Sequence, residues 1–123
     1  VLNDGLDAAL ESLAANSALP VELDYRLPVR PAPAVEAIAY YCAAELLTNA
    51  VKHSRGTGAW ISVTEQDKRL FLTVTDNGAG GASPAAGTGL AGLAERVRTV
   101  DGTLHVSSPA GGPTTATVSL PLP

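Results

Sequence analysis

The chain of 123 residues has few aromatic side chains and only one cysteine. Cys42 has no second cysteine to pair with, so no disulfide can form within the chain. Its place among apolar residues predicts a small core side chain in a reducing compartment. Because the aromatic content is 4%, the core must be built from alanine, valine, leucine and isoleucine. A chain of this length is predicted to form one ordinary domain.

Long apolar runs and excess positive charge are also missing. The sequence has no run of about 18 or more apolar residues and no basic-then-apolar signal segment. A net charge of −4 argues against a nucleic-acid partner and against direct membrane contact by this domain. We therefore expect a cytoplasmic domain. A longer protein that contains this domain can be anchored in a membrane. The start at Val1, in the middle of a pattern, indicates a piece of something longer.

Several catalytic motifs are absent. The sequence contains no P-loop, no cysteine–histidine cluster with zinc spacing, and no serine in a nucleophile elbow. The literal G-x-G-x-x-G from Gly87 to Gly92 lacks the preceding strand and the following acid of a dinucleotide-binding fold. What this stretch does indicate is a glycine-rich backbone leading into a helix, whose free N–H groups suit phosphate oxygens.

Hydrophobic periodicity predicts three helices and five strands. The predicted helices are 5–19, 34–54 and 90 to about 101, and the predicted strands are 21–27, 59–65, 69–76, 103–107 and 114–120. The second and third strands, joined by the polar turn 66–68, are expected to form an antiparallel hairpin. No linker is long enough to divide the chain.

The long second helix carries the most informative pattern. Glu45, Asn49 and His53 follow one another at steps of four, with Lys52 beside them. Burying such groups in line with a core stripe costs several kcal/mol unless they are paired. A bound ligand or metal would supply the pairing; alternatively, the helix end simply emerges into solvent. The apolar residues that precede them fall within roughly one 100°-wide stripe: Val35, Ile38, Ala39, Cys42 and Leu46.

A second polar residue stands where an apolar one is expected. Asp76 is in phase with the apolar residues of its strand and comes directly before Asn77-Gly78. Its carboxylate therefore points the way that the apolar side chains point. Two roles are open: the acid caps the backbone of its own turn, or it accepts a hydrogen bond from a ligand.

Three blocks in a fixed order resemble the nucleotide-binding motifs of the sensor histidine kinases. Glu45-x3-Asn49-x2-Lys52-His53 is similar to their asparagine box. Asp76-Asn77-Gly78-Ala79-Gly80 and Gly87-Thr88-Gly89-Leu90 are similar to two of their glycine boxes. The ATP-binding domain of these kinases belongs to the superfamily of DNA gyrase, a heat-shock chaperone and mismatch-repair ATPases. Residues 47–50, 80–82 and 89–97 most resemble the subgroup that signals to response regulators with a helix-turn-helix output domain.

The resemblance covers nearly the whole chain and implies both fold and function. We expect an α/β fold of the Bergerat type: a two-layer sandwich with three helices on one face of a mixed sheet of about five strands. Residues 1–123 would form a single ATP-binding domain that binds ATP and Mg²⁺ and donates the γ-phosphate to a histidine. That histidine would lie on a separate dimerisation domain outside this chain, and the cognate response regulator would be the second partner. The alternatives are an anti-sigma-factor-type serine kinase module and a nucleotide-binding pseudo-kinase scaffold.

The resemblance also implies roles for individual residues. Asn49 would coordinate Mg²⁺, and Glu45 would orient a metal-bound water or the attacking imidazole. Asp76 would accept a hydrogen bond from the adenine amino group. Glycines would let the backbone approach the base (Gly78 and Gly80) and let a lid close on the phosphates (Gly87 and Gly89), and Lys52, His53, Thr88 and Leu90 complete the nucleotide site.

The last strand supplies one more residue by resemblance. Thr115 would be the threonine that helps Asp76 to hold adenine, with Thr117 further along. Strand phase leaves this open, because Ala116, Val118 and Leu120 are the more apolar set. Two departures from the family pattern are present: Pro113 replaces a glycine in the last glycine-rich turn, and the lid has no phenylalanine box, as is normal for this subgroup.

Overall fold

The computed structural model describes residues 5–53, 56–78 and 89–122, with only the backbone of His53. The helices and strands predicted from the sequence are all present, although α1, β1 and α3 end earlier than expected. The helices are α1 (Leu6–Ala15), α2 (Pro33–His53) and α3 (Leu90–Arg98). The strands are β1 (Val21–Tyr25), β2 (Ala59–Gln66), β3 (Arg69–Asp76), β4 (Thr103–Ser107) and β5 (Thr114–Pro121).

The five strands form one mixed sheet in the order β1-β2-β3-β5-β4. β1 runs parallel to β2, and the other neighbours are antiparallel. The β2–β3 hairpin turns through Asp67 and Lys68, whose φ angles of 52° and 61° are left-handed, as a two-residue hairpin turn requires. The expected hairpin and the expected mixed sheet are both confirmed.

The core lies between the helices and one face of the sheet. Along β3, Leu70, Leu72 and Val74 are buried, and the residues between them are only half-buried. This alternation defines a core face and an open face, and a slip of one residue would exchange them. The largest fully buried side chains of the described residues include no aromatic ring, as the composition predicts. Within the described residues, no helix is long and apolar enough to cross a membrane.

The second helix, α2, packs its apolar stripe against the sheet as the periodicity predicts. Cys42 is fully buried, and burial raises the pKa of its thiol to about 12, so it is a core side chain and not a reactive one. The buried face continues through Leu47 and Ala50. Glu45 and Asn49 consequently lie on the flank of this face and are half-buried, neither in the core nor fully in solvent.

Several elements begin or end at one end of the strands, and we name this side of the sheet the Asp76 edge. Ala59, the first residue of β2, is in register with Asp76, the last of β3, which is in register with Thr114, the first of β5. α2 reaches this edge because it leads through 56–58 into β2. α3 leads into the start of β4, which lies at the other end of the strands. The start of α3 at Leu90 therefore lies toward the Asp76 edge.

Candidate functional site

Asp76 is buried at the end of β3, with 5% of its surface exposed. Its Oδ1 accepts a hydrogen bond from the backbone N–H of Gly78 at 2.9 Å, which closes a turn. Its Oδ2 makes no hydrogen bond to the described residues, and it is not sealed inside the core. The two roles left open by the sequence are therefore compatible: one oxygen caps the turn, and the other remains an acceptor for a ligand.

The environment of Asp76 is unfavourable for a negative charge. Burial raises the pKa of the Asp76 carboxyl above its ordinary value, and the N–H of Gly78 lowers it by a smaller amount. Asp76 is thus an acid that burial makes harder to ionise, and it lies at the end of a strand beside a glycine turn. These features are typical of a binding residue.

The register of β5 corrects the threonine expected beside Asp76. Thr115 pairs with Thr75, so it faces the open side of the sheet, away from Asp76. Thr117 faces the same open side, where its hydroxyl lies 3.4 Å from that of Thr73. Thr114 is directly opposite Asp76 and shares its face, since paired residues in an antiparallel ladder point to the same side. Thr115 therefore does not lie beside Asp76 as expected, and Thr114 is the threonine of β5 on that face.

Two side chains of α2 present oxygen atoms near the same edge. Glu45 and Asn49 lie one helical turn apart and are half-buried, and neither side chain makes a hydrogen bond to the described residues. Amide and carboxylate oxygens suit Mg²⁺, which commonly takes one or two protein ligands and completes its shell with water and phosphate oxygens. No cluster of three or more acidic, histidine or cysteine side chains that could hold a metal occurs among the described residues.

The rest of the predicted site is only partly described. Lys52 is exposed on the last turn of α2, and the side chain of His53 lies outside the description. Gly78 is buried beside Asp76. The predicted contacts of Gly80, Gly87 and Thr88 also fall outside the described residues.

The described residues include only the end of the predicted glycine-rich stretch, at the start of α3. Gly89 has a left-handed φ of 84° immediately before the helix, a conformation that favours glycine. Leu90 is 3% exposed and packs in the core. Its side chain therefore does not line the site, and only its backbone is available for a ligand at the helix start.

Comparison with known proteins now gives the class of protein. Residues 34–123 match the family described as histidine kinase-, DNA gyrase B-, and HSP90-like ATPase. The chain belongs to this family, whose members bind ATP, generally with Mg²⁺. Within the family it is similar to the ATP-binding domain of two-component sensor histidine kinases. The resemblance to these kinases found in the sequence is therefore confirmed.

Individual relatives give the same result. The chain is 41% identical over 80 residues to the nitrate/nitrite sensor protein NarX of Escherichia coli strain K12, which covers 64% of this chain and 13% of NarX. It is 33% identical over 114 residues to the sensor histidine kinase YdfH of Bacillus subtilis strain 168, covering 88% of this chain and 28% of YdfH. The chain thus spans less than a third of either relative.

Solved structures support the fold. The blue-light activated histidine kinase EL346 of Erythrobacter litoralis superposes with a TM-score of 0.79, at 20% identity, over 96% of this chain and 42% of that one. The expected α/β fold, with three helices and a mixed sheet of five strands, is confirmed.

Proposed function

We propose that this domain binds ATP with Mg²⁺ at the Asp76 edge and holds the γ-phosphate for transfer to a histidine of a separate dimerisation domain. The observation that carries the proposal is the unpaired acceptor of Asp76, a buried acid whose second oxygen has no hydrogen bond among the described residues. Phosphoryl transfer requires mainly positioning and charge neutralisation from the protein, which the arrangement of α2 and β3 can supply.

Each end of the nucleotide has its own set of residues in this proposal. The adenine amino group donates to Asp76, assisted by Thr114 across the strand pair. Asn49 would hold Mg²⁺, which would neutralise charge on the phosphates, and Glu45 would orient a water or the attacking imidazole. Further residues complete the phosphate and base contacts through side chains or backbone: Lys52, His53, Gly78, Gly80, Gly87, Thr88, Gly89 and Leu90.

The proposal extends to the organisation of the longer protein. Residues 1–123 form one ATP-binding domain, the phosphoacceptor and sensor domains lie outside this chain, and a cognate response regulator receives the phosphoryl group. The matched relatives are named as a nitrate/nitrite sensor protein and a sensor histidine kinase, and they do not favour an anti-sigma-factor-type kinase module or a pseudo-kinase scaffold.

A pair of neighbouring threonines tests the assignment at the base. We expect Thr114→Val to weaken ATP binding about threefold to fivefold, the net effect of losing one hydrogen bond to the nucleotide. The variant also loses the 2.6 Å bond between the hydroxyls of Thr114 and Ser108, and Ser108→Ala, which breaks that bond and keeps Thr114, should bind ATP as the wild type does. Thr115→Val makes the same nearly isosteric change on the opposite face of β5 and should leave the dissociation constant unchanged. Calorimetric titration measures both. Equal losses in the two variants would assign the effect to the strand and not to a contact with the nucleotide.

Metal dependence tests the proposed role of Asn49. We expect Asn49→Ala to weaken ATP binding about fivefold in Mg²⁺, on the order of 1 kcal/mol, and by less than about twofold in EDTA, because the amide acts through the ion. Thr48→Ala, an exposed neighbour on the same helix, is the control and should bind ATP as the wild type does. Equal losses in both buffers would make Asn49 a structural residue of α2.

A further inference from the structure

One side chain binds the loop that follows α2 to the turn that follows β3. Oδ1 of Asn77 accepts the backbone N–H of Thr57 at 2.8 Å and that of Gly58 at 3.0 Å. Nδ2 of Asn77 donates to Oγ1 of Thr57 at 2.8 Å. The backbone N–H of Asn77 donates in turn to the carbonyl oxygen of Gly58 at 3.3 Å. We call these four hydrogen bonds the Asn77 latch.

The loop and the turn are also in close contact at Gly56. A Cβ atom at this position would lie 2.5 Å from Oδ1 of Asn77 and 2.9 Å from the backbone nitrogen of Gly78. Any larger residue would therefore push the loop away from the turn. On its other side the loop is attached to the sheet, since the N–H of Ala59 donates to the carbonyl oxygen of Pro20 at 3.0 Å.

The latch joins the two parts of the proposed nucleotide site. Its turn lies between Asp76 and Gly78, which belong to the base end. Its loop follows the end of α2, whose Asn49 belongs to the phosphate and metal end. The side chain of Asn77 is itself exposed, so it adds little to the hydrophobic core.

We propose that Asn77 is a positioning residue for nucleotide binding, which holds the loop 56–58 that follows α2 against the Asp76 turn. This inference rests on the proposed function, because a ligand must contact both ends to benefit. If the loop is not held in place beforehand, part of the binding free energy is lost in ordering it when the nucleotide binds.

Two variants that break the latch in different ways provide the test. Asn77→Ala removes three of its hydrogen bonds, and Gly56→Ala pushes the loop away without changing Asn77. We expect each to weaken binding of a non-hydrolysable ATP analogue with Mg²⁺ about fivefold to tenfold, by loss of preorganisation. Asn77→Asp keeps an acceptor for both N–H groups and lets the Thr57 hydroxyl donate, so it should retain most of the affinity.

Amide exchange locates the effect, and a distant variant controls for stability. The amides of Thr57 and Gly58 should exchange faster in Asn77→Ala and Gly56→Ala, and remain protected in Asn77→Asp. Ser119→Ala removes the hydroxyl that accepts from Nε of Arg69 at 2.6 Å, near the opposite edge of the sheet. It should leave the affinity unchanged, whatever it does to the free energy of unfolding.

The outcomes separate this inference from the proposed function. If the wild type binds the analogue, and Asn77→Ala and Gly56→Ala bind it equally tightly, Asn77 is structural and the inference is overturned. If the wild type does not bind the analogue at all, the proposed function fails, and this inference with it. Should Asn77→Ala not fold, Thr57→Val removes only the acceptor for Nδ2. A loss of about twofold is then expected from a single exposed hydrogen bond, and unchanged affinity would overturn the inference.

Discussion

Asp76→Asn is expected to weaken ATP binding about tenfold or more, on the order of 1.5 kcal/mol, and to leave the domain at least as stable as the wild type at neutral pH. The affinity falls because the amide oxygen stays bonded to the N–H of Gly78, and a donor NH2 group then replaces the oxygen that would accept from the adenine amino group. Two donors that face each other without an acceptor are costly. The turn survives, because the amide oxygen can still accept the N–H of Gly78.

The effect on stability follows from the raised pKa of Asp76. Since the folded state binds this proton more tightly than the unfolded state, the stability of the wild type falls as pH rises from the ordinary value of 3.8 through the raised pKa. Asparagine does not titrate, so the free energy of unfolding of the variant should rise relative to that of the wild type as the pH rises across this window. The difference should persist at higher pH. Denaturant unfolding at several pH values measures the difference, and calorimetry measures the affinity.

A matched control is available on β1. Asp24 is an exposed acid paired with Arg26 at 2.9 Å, and Asp24→Asn makes the same chemical change with no expected effect on ATP affinity. Unchanged affinity in folded Asp76→Asn would remove adenine recognition from Asp76. A loss of both affinity and stability would mean that the charged carboxylate acts chiefly as a structural cap.

Local patterns predicted most of the fold. The alternation of β3 and the polar residues at its end predicted both the strand and the burial of Asp76. The end of α1 was missed, because the helix was expected to continue to Leu19 and stop at Pro20. It ends at Ala15 instead, where the amide of Asn16 donates to the carbonyl oxygen of Ser12 at 2.9 Å. Such a side-chain bond competes with helix continuation, and the apolar spacing does not reveal it.

Contacts between distant parts of the chain could not be predicted. The phase of β5 was visible in its apolar residues, but only the pairing with β3 places Thr114 opposite Asp76. Asn77 stood out merely as part of a motif, since its partners are 19 and 20 residues away. Glu36 was not singled out at all, although it is 2% exposed.

The case of Glu36 shows why a buried charge escapes sequence reasoning. Its Oε2 accepts the backbone N–H of Leu6 at 3.1 Å, which caps α1 from another helix. Nε of Arg30 also bonds its carboxylate at 3.2 Å. The partners that make this burial possible come from two other segments, so the pattern of α2 alone could only suggest an exposed acid in its first turn.

The largest expected effect concerns phosphoryl transfer. We expect the 123-residue domain alone to bind ATP and to show no acid-labile self-phosphorylation. Its His105 is exposed on β4 and pairs with Thr117, which faces the open side of the sheet, away from the helix that carries Asn49 and Glu45. His53 belongs to the asparagine-box pattern, where a transferred phosphoryl group would block the site from which it came.

Adding a matching dimerisation domain, fused or at high concentration, should restore labelling of that domain. Glu45→Gln should then slow the transfer more than it weakens ATP binding, because a residue that orients the attacking group acts mainly in the transition state. His105→Ala is the matched control, and its transfer rate should equal that of the wild type. Labelled phosphate on His53 or His105 of the isolated domain, at a catalytically useful rate, would contradict the proposed division between ATP-binding and acceptor domains. Mass spectrometry of the labelled peptides distinguishes the two histidines, since one lies on α2 and the other on β4.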